Sequence, residues 1–217
     1  MRKKIITGLC IAGLMACTSM TAFAADVSKV TIDNYSTSSE AIQKEIAAGI
    51  GVLPDSVADY FTATGGKVVL YDGILHFYNN ADDMYVNGVY FNESNIMQIK
   101  TTEDLINNPN VSIKGAVVHE FGHFLYDEVV PYLSIEDKNT ITNMYNYWSK
   151  YMPSCTNENE TFAEQYKILR AFGGKSFTED EIKVFEHAEE LCTKLLNYYN
   201  EHGEKLEIGP GVDINNL

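Results

Sequence analysis

The string His119-Glu120-Phe121-Gly122-His123 contains three side chains whose types and spacing could carry out metal-assisted hydrolysis. Residues four apart on an α-helix lie on one face, so the imidazoles of His119 and His123 can bind the same metal ion. The carboxylate of Glu120 can then accept a proton from a water molecule held by that ion. The alternative is a core helix in which both histidines are merely hydrogen-bonded, so the surrounding sequence has to decide.

The residues around this motif predict a largely buried helix over 111–127. Ser112 is a candidate N-cap, and a series of apolar side chains supplies the buried face: Val111, Val117, Val118, Phe121, Phe124 and Leu125. Gly122 costs a helix about 1 kcal/mol relative to alanine, which suggests that a neighbour packs closely against it. Such a helix would hold both histidines in a dry wall of a cleft.

A catalytic zinc site needs a third protein ligand and keeps one position for water. A common extended motif would place glycine at residue 126 and histidine at residue 129, but the chain has Tyr126 and Val129 there. The third ligand is therefore expected from a later segment. A helix predicted over 157–172, opened by Thr156 or Asn157, supplies acidic candidates.

Glu160 and Glu164 are four apart on that predicted helix and face the same way. One can bind the metal while the other accepts the outer N–H of a ligating histidine. We assign Glu160 as the ligand and Glu164 as the acceptor, and the reverse assignment stays open. Two imidazoles, one carboxylate and an open position favour Zn²⁺ over other divalent metals.

Two strings of this chain resemble the catalytic domain of anthrax lethal factor and the small secreted Pro-Pro endopeptidases related to it. They are the motif over 119–123 and the string Asn157-Glu158-Asn159-Glu160-Thr161-Phe162-Ala163-Glu164, and the specific matches lie within residues 115–170. The resemblance implies that Glu160 is the third zinc ligand. It also implies cleavage of peptide bonds by a zinc-bound water.

The same resemblance implies a tyrosine seven residues before the third ligand, whose hydroxyl stabilises the oxyanion. Here that position is Pro153, which departs from the family pattern. Tyr151 lies two residues earlier and is our candidate for this catalytic role. Tyr145 and Tyr147 are alternatives, and an ordinary packing role for Tyr151 stays open.

The N-terminus predicts a secretion signal. Basic residues at 2–4 precede an apolar stretch over 5–16, and Ala22-Phe23-Ala24 fits a cleavage site. The predicted division is a signal peptide over 1–24 and a single catalytic domain over 25–217. A loose resemblance of residues 14–17 to a lipobox offers lipid anchoring at Cys17 as the less favoured alternative.

The mature chain would carry 13 basic and 30 acidic residues, a net charge of about −17. This charge argues against nucleic acid and anionic membranes as partners, and favours neutral or basic polypeptide substrates. No stable membrane insertion is expected, and we expect a monomer. Cys155 and Cys192 could form a disulfide in an oxidising compartment, or could remain buried thiols.

Sequence periodicity predicts an α+β fold, with small N-terminal helices and an antiparallel-rich sheet packed on a mainly helical C-terminal half. Helices are predicted over 36–49, 53–63, 102–108, 134–151, 157–172 and 178–201, and strands over 68–71, 74–78, 84–86, 89–91 and 96–99. Asp72-Gly73 and Asn87-Gly88 predict two hairpins. The zinc site should lie in the cleft between the two halves. The strands near 85–91 and 96–99 could offer an edge to an extended peptide, or be purely structural.

These observations predict a secreted zinc metalloendopeptidase that acts on extracellular protein or peptide substrates. Glu120 would take the proton of the attacking water, and Tyr151 would stabilise the oxyanion. One alternative is a non-catalytic secreted binding protein built on a peptidase scaffold. Another is a metal-dependent amidase acting on cell-wall peptide.

Overall fold

The computed structural model describes residues 25–79, 82–106, 112–174 and 176–207. The predicted signal sequence, with Cys17, lies outside these residues. Within them the strands are β1 (Thr31–Asp33), β2 (Lys67–Tyr71), β3 (Leu75–Asn79), β4 (Asp82–Val86), β5 (Gly88–Phe91) and β6 (Ile96–Lys100). The helices are α1 (Glu40–Ile50), α2 (Asp55–Ala63), α3 (Glu103–Ile106), α4 (Ile113–Glu128), α5 (Ile135–Trp148), α6 (Glu158–Phe172) and α7 (Glu179–His202). The predicted α+β class is confirmed.

Four of the strands form a mixed sheet in the order β1-β2-β6-β5. β1 and β6 both run parallel to β2, whereas β5 runs antiparallel to β6. β3 and β4 form a separate antiparallel hairpin. β5 is therefore the last strand at one edge of the four-stranded sheet.

The strand positions were predicted well, but the two predicted hairpins are wrong. β2 pairs with β1 and β6 rather than β3, and β4 pairs with β3 rather than β5. Burial explains the pairing, because Val68 lies opposite Met97 and Leu70 lies opposite Ile99, and all four side chains are buried. The helices α1 and α2 supply the crossover that a parallel β1–β2 pair requires.

The helix α4 lies at the centre of the molecule and contacts α1, α6, β5 and β6. It begins where the Ser112 hydroxyl accepts a hydrogen bond from the Gly115 amide at 2.8 Å, as predicted. On its buried side Phe121 and Phe124 meet the ring of Phe61 edge-on, with centroids 5.0 and 5.2 Å away. This packing fixes the rotation of α4, so its opposite face is set toward the cleft.

The helices α6 and α7 pack together through Phe162, Tyr166 and Phe185. Beside these rings Arg170 pairs with the buried carboxylate of Glu189, which also accepts the Tyr166 hydroxyl at 3.0 Å. Cys155 and Cys192 are both free and buried, so the two cysteines do not form the disulfide that the sequence allowed. Among the described residues, none of the helices is both long and apolar enough to cross a bilayer.

Candidate metal site

His119, His123 and Glu160 come together where α4 packs against α6. The Nε2 atoms of the two histidines are 3.0 Å apart, and the Glu160 oxygens lie 3.5 Å from His119 Nε2 and 3.7 Å from His123 Nε2. Two ligands of a tetrahedral zinc ion at normal bond lengths are separated by about 3.3 Å. The three side chains therefore form a group that could hold a metal ion.

The two helices that carry this group run antiparallel. Gly115 of α4 lies beside Phe172 of α6, and Asp127 at the other end of α4 is linked to Asn159. The side chain of Asn157 accepts the amide of Glu160 at 2.9 Å and so caps the start of α6. This cap fixes the first turn of α6, which is the turn that supplies the third candidate ligand.

Glu164 lies beside the outer nitrogen of His119, where the sequence analysis placed it. Its Oε2 atom is 3.4 Å from His119 Nδ1 and 2.6 Å from the ammonium of Lys167. The contact with His119 is ionic rather than a well-directed hydrogen bond, since Nδ1 of His119 has no hydrogen-bond partner. Burial would raise the pKa of Glu164, but His119 and Lys167 outweigh it and lower the pKa to about 2.

His123 is held by a different chain of contacts, which the sequence analysis missed. Its Nδ1 atom lies 2.7 Å from the Asn159 side-chain oxygen, and the Asn159 amide donates to Asp127 at 3.0 Å. With Nδ1 as the donor, Nε2 of His123 is left free to face the metal position. The signal was present in the sequence, because Asp127 follows His123 by four residues and shares its helix face.

Glu120 is 3% exposed and lies under the strand β5. Its Oε2 atom has no hydrogen-bond partner. A β carbon at Gly88 would lie 2.5 Å from Glu120 Oε1, so only glycine leaves room for this carboxylate. Burial raises the pKa of Glu120 to about 7, although the charge of His119 opposes the shift. A carboxyl with such a pKa can both take and give a proton near neutral pH.

The two histidines titrate differently in the absence of a metal ion. Burial lowers the pKa of His119, but the carboxylates of Glu160 and Glu164 outweigh it and raise the pKa to about 9. Burial, followed by repulsion from His119, lowers the pKa of His123. His119 therefore carries the proton that a metal ion would have to displace.

The candidate metal group lies in a cleft of about 680 Å³ between β5 on one side and α4, α6 and the segment before α6 on the other. Residues 86–90 form the β5 side of this cleft. One helix face of α4 runs along it, from Ser112 past His119 to Asp127. The cleft is long enough for an extended chain, since fifteen helical residues span about 22 Å.

Tyr151 is not in this cleft, which corrects the expectation from the sequence. Its side chain is 67% exposed and its ring packs against that of Tyr147, with centroids 5.2 Å apart. After α5 the chain turns so that the amide of Met152 bonds the Trp148 carbonyl, and this turn directs Tyr151 outward. Ser154 and Thr156, a few residues later, line the cleft instead.

A search against protein-family models finds no matching family, and a search of curated proteins finds no matching sequence.

Proposed function

We propose that this chain is a secreted zinc metalloendopeptidase. The observation that carries the proposal is the position of the buried Glu120 carboxylate, in the same cleft as His119, His123 and Glu160. A metal ligand set beside a buried carboxyl is the arrangement that metal-assisted hydrolysis requires. The resemblance of both strings to the lethal factor group supports the choice of peptide bonds as substrate.

Zinc is the metal that we propose for the site. The ligand set of two imidazoles and one carboxylate leaves a fourth position open, which is typical of catalytic zinc. The three separations of 3.0, 3.5 and 3.7 Å surround the value expected for tetrahedral coordination. When bound, the ion would supply Lewis-acid polarisation of water and of the scissile carbonyl.

Each residue around the metal position has a proposed role. Glu120, held against Gly88 of β5, accepts the proton of the attacking water and passes it to the leaving amine. Glu164 and Asn159 hold the two histidines in their ligating orientation. The outer edge of β5 is the proposed binding site for the substrate backbone, because an extended peptide can add to an edge strand through main-chain hydrogen bonds.

The proposal is tested by digesting a synthetic peptide library with the zinc-loaded protein over residues 25–217 and reading the products by mass spectrometry. We expect internal cuts that disappear with a zinc chelator and in the Glu120→Ala variant, which should retain its zinc. Cuts that persist in Glu120→Ala would contradict the mechanism. Zinc-loaded protein that binds library peptides without cutting them would favour a binding protein, and cleavage of muropeptides alone would favour a cell-wall amidase.

A further inference from the structure

The cleft continues beyond Glu164 toward the first turn of α4, where it changes character. We call this end of the cleft the Lys167 wing, and it is formed by Ser112, which caps α4, by Gly115 and Ala116 of α4 and by Lys167 and Phe172 of α6. The proposed roles of the metal site use none of these five residues. These residues are therefore candidates for a separate role in the cleft.

Lys167 is the only lysine or arginine among the described residues that line the cleft. The carboxylates lining it are those of Glu120, Asp127, Glu160 and Glu164. Lys114 is close in sequence to the wing, but its ammonium donates to the Ala171 carbonyl at 2.8 Å and does not line the cleft. Among the described side chains that line the cleft, Lys167 therefore offers a negatively charged substrate group an ammonium that lies apart from the candidate metal site.

The ammonium of Lys167 has capacity for a second partner. It contacts Glu164 Oε2 at 2.6 Å, and its side chain is 23% exposed toward the cleft. An ammonium carries three N–H donors, so two remain after the bond to Glu164. Glu164 is itself held beside His119. The ion pair with Glu164 therefore restricts the movement of the Lys167 ammonium.

Apolar surface leads up to this ammonium. Phe172 lines the wing, and its side chain is 59% exposed. A β carbon at Gly115 would lie 3.2 Å from the Phe172 ring and 3.6 Å from Lys167 Cδ. The missing side chain at Gly115 lets both α6 residues lie close to α4, so the apolar ring of Phe172 and the ammonium of Lys167 line the same end of the cleft.

We propose that the Lys167 wing is a carboxylate-binding subsite that selects an acidic group close to the scissile bond. This inference deepens the proposed function and rests on it. The path from Lys167 to the metal position has two contacts, 2.6 Å to Glu164 and 3.4 Å on to His119. The recognised group therefore lies within about two or three residues of the cut, at about 3.3 Å per extended residue. The carboxylate can come from an aspartate or glutamate side chain or from the free C-terminus of the peptide.

The test is an affinity selection that does not depend on turnover. Zinc-loaded Glu120→Ala protein and the double variant Glu120→Ala, Lys167→Met are each incubated with a peptide pool in which glutamate or glutamine is fixed at every position in turn. We expect a preference for glutamate of about tenfold at one position, lost in the double variant. Amidating the peptide C-termini tests the other source: recovery that falls on amidation with Glu120→Ala, but not with the double variant, assigns the recognised carboxylate to the terminus, whereas the glutamate preference assigns it to a side chain.

Two further variants separate recognition from a general effect of charge or folding. Lys167→Arg should keep the preference, whereas Lys183→Met removes an exposed lysine that pairs with Glu179 on α7 and should leave it unchanged. Equal recovery of glutamate and glutamine peptides by Glu120→Ala together with recovery unaffected by amidation, or a preference that survives Lys167→Met, would overturn the subsite. Cleavage by the wild-type protein without an acidic preference would reject the subsite alone, and acid-selective binding without any cleavage would reject the proposed function alone.

Discussion

Gly122 of α4 lies directly against Ala163 of α6, so that a β carbon at residue 122 would stand 2.6 Å from the Ala163 α carbon. This close approach is what lets the candidate ligands from two helices reach one point, because His119 and His123 lie on either side of Gly122 in the sequence and Glu160 lies one turn before Ala163. The separation between the helices therefore sets the separation between the ligands.

Gly122→Ala should separate the two helices. Alanine improves intrinsic helix propensity by about 1 kcal/mol, so a loss of stability here would have to come from overpacking. We expect a net destabilisation of about 1–3 kcal/mol in denaturant unfolding, together with weaker zinc binding. A variant as stable as the wild type, with unchanged zinc affinity, would show that α4 and α6 adjust without cost.

The two glutamates of α6 should differ in their effect on metal content. Glu160→Ala removes a proposed ligand and is expected to abolish stoichiometric zinc binding, whereas Glu164→Ala removes a support for His119 and should weaken it by about 10–100-fold. Zinc content after dialysis against a graded series of chelator concentrations measures both. The opposite order would exchange the two assignments.

The contact between Asn159 and His123 gives a third prediction. Asn159→Ala leaves the His123 ring without its 2.7 Å partner, so zinc affinity should fall by about 10–100-fold while the fold is retained. Asn146→Ala, on the preceding helix α5, is the matched control and should change nothing. Unaltered zinc affinity in Asn159→Ala would mean that packing alone orients His123.

Zinc binding should release protons in the mildly alkaline range. The pKa of His119 is raised from 6.5 to about 9 in the metal-free protein, so this imidazole is protonated at pH 8 and must lose its proton to bind zinc. Apparent zinc affinity should thus rise with pH up to about 9. For the metal-free fold the sign is reversed: the stabilisation from charged His119 is complete below about pH 6.5 and is lost as the pH rises through about 9.

Calorimetry in two buffers of different ionisation enthalpy measures this release, and we expect about one proton per zinc at pH 8. Glu164→Gln removes one of the two carboxylates that raise the pKa of His119, so it should release fewer protons at the same pH. No proton release at pH 8 in the wild type would show that His119 is already neutral there.

Tyr151→Phe is expected to leave both turnover and zinc content unchanged, because the side chain is exposed and outside the cleft. Its effect on stability should stay within about 0.5 kcal/mol, as for an ordinary surface substitution. Initial rates on a peptide found in the library digest provide the measurement. A large fall in kcat with normal zinc would mean that substrate binding brings Tyr151 into the site.

The sequence predicted the features of the structure that follow from helix spacing, capping and motifs. Helix α4 and its Ser112 cap follow from apolar spacing and capping chemistry, and the meeting of Glu160 with both histidines was expected from the motifs. The position of Glu164 beside His119 likewise follows from the four-residue spacing. Each of these features depends either on residues within one helix or on contacts between two helices that the sequence predicts clearly.

Contacts between segments that are far apart in the sequence could not be predicted in the same way. The Asp-Gly and Asn-Gly pairs suggested hairpins, but the burial of Val68 and Leu70 against Met97 and Ile99 decided the strand pairing. The strand Thr31–Asp33 is too short to show a period. The contact of Gly88 with Glu120 joins a strand to a helix some thirty residues later, and a lone glycine in a strand does not reveal what approaches it.

Both cysteines of the described part of the chain are reduced and enclosed by the fold, which has a practical consequence. A fold without a disulfide in this region does not need an oxidative folding catalyst there. The chain from residue 25 onward should therefore reach its native state in the reducing cytoplasm of an expression host. It should also tolerate millimolar phosphine reductants during purification, whereas thiol reductants would compete for the zinc.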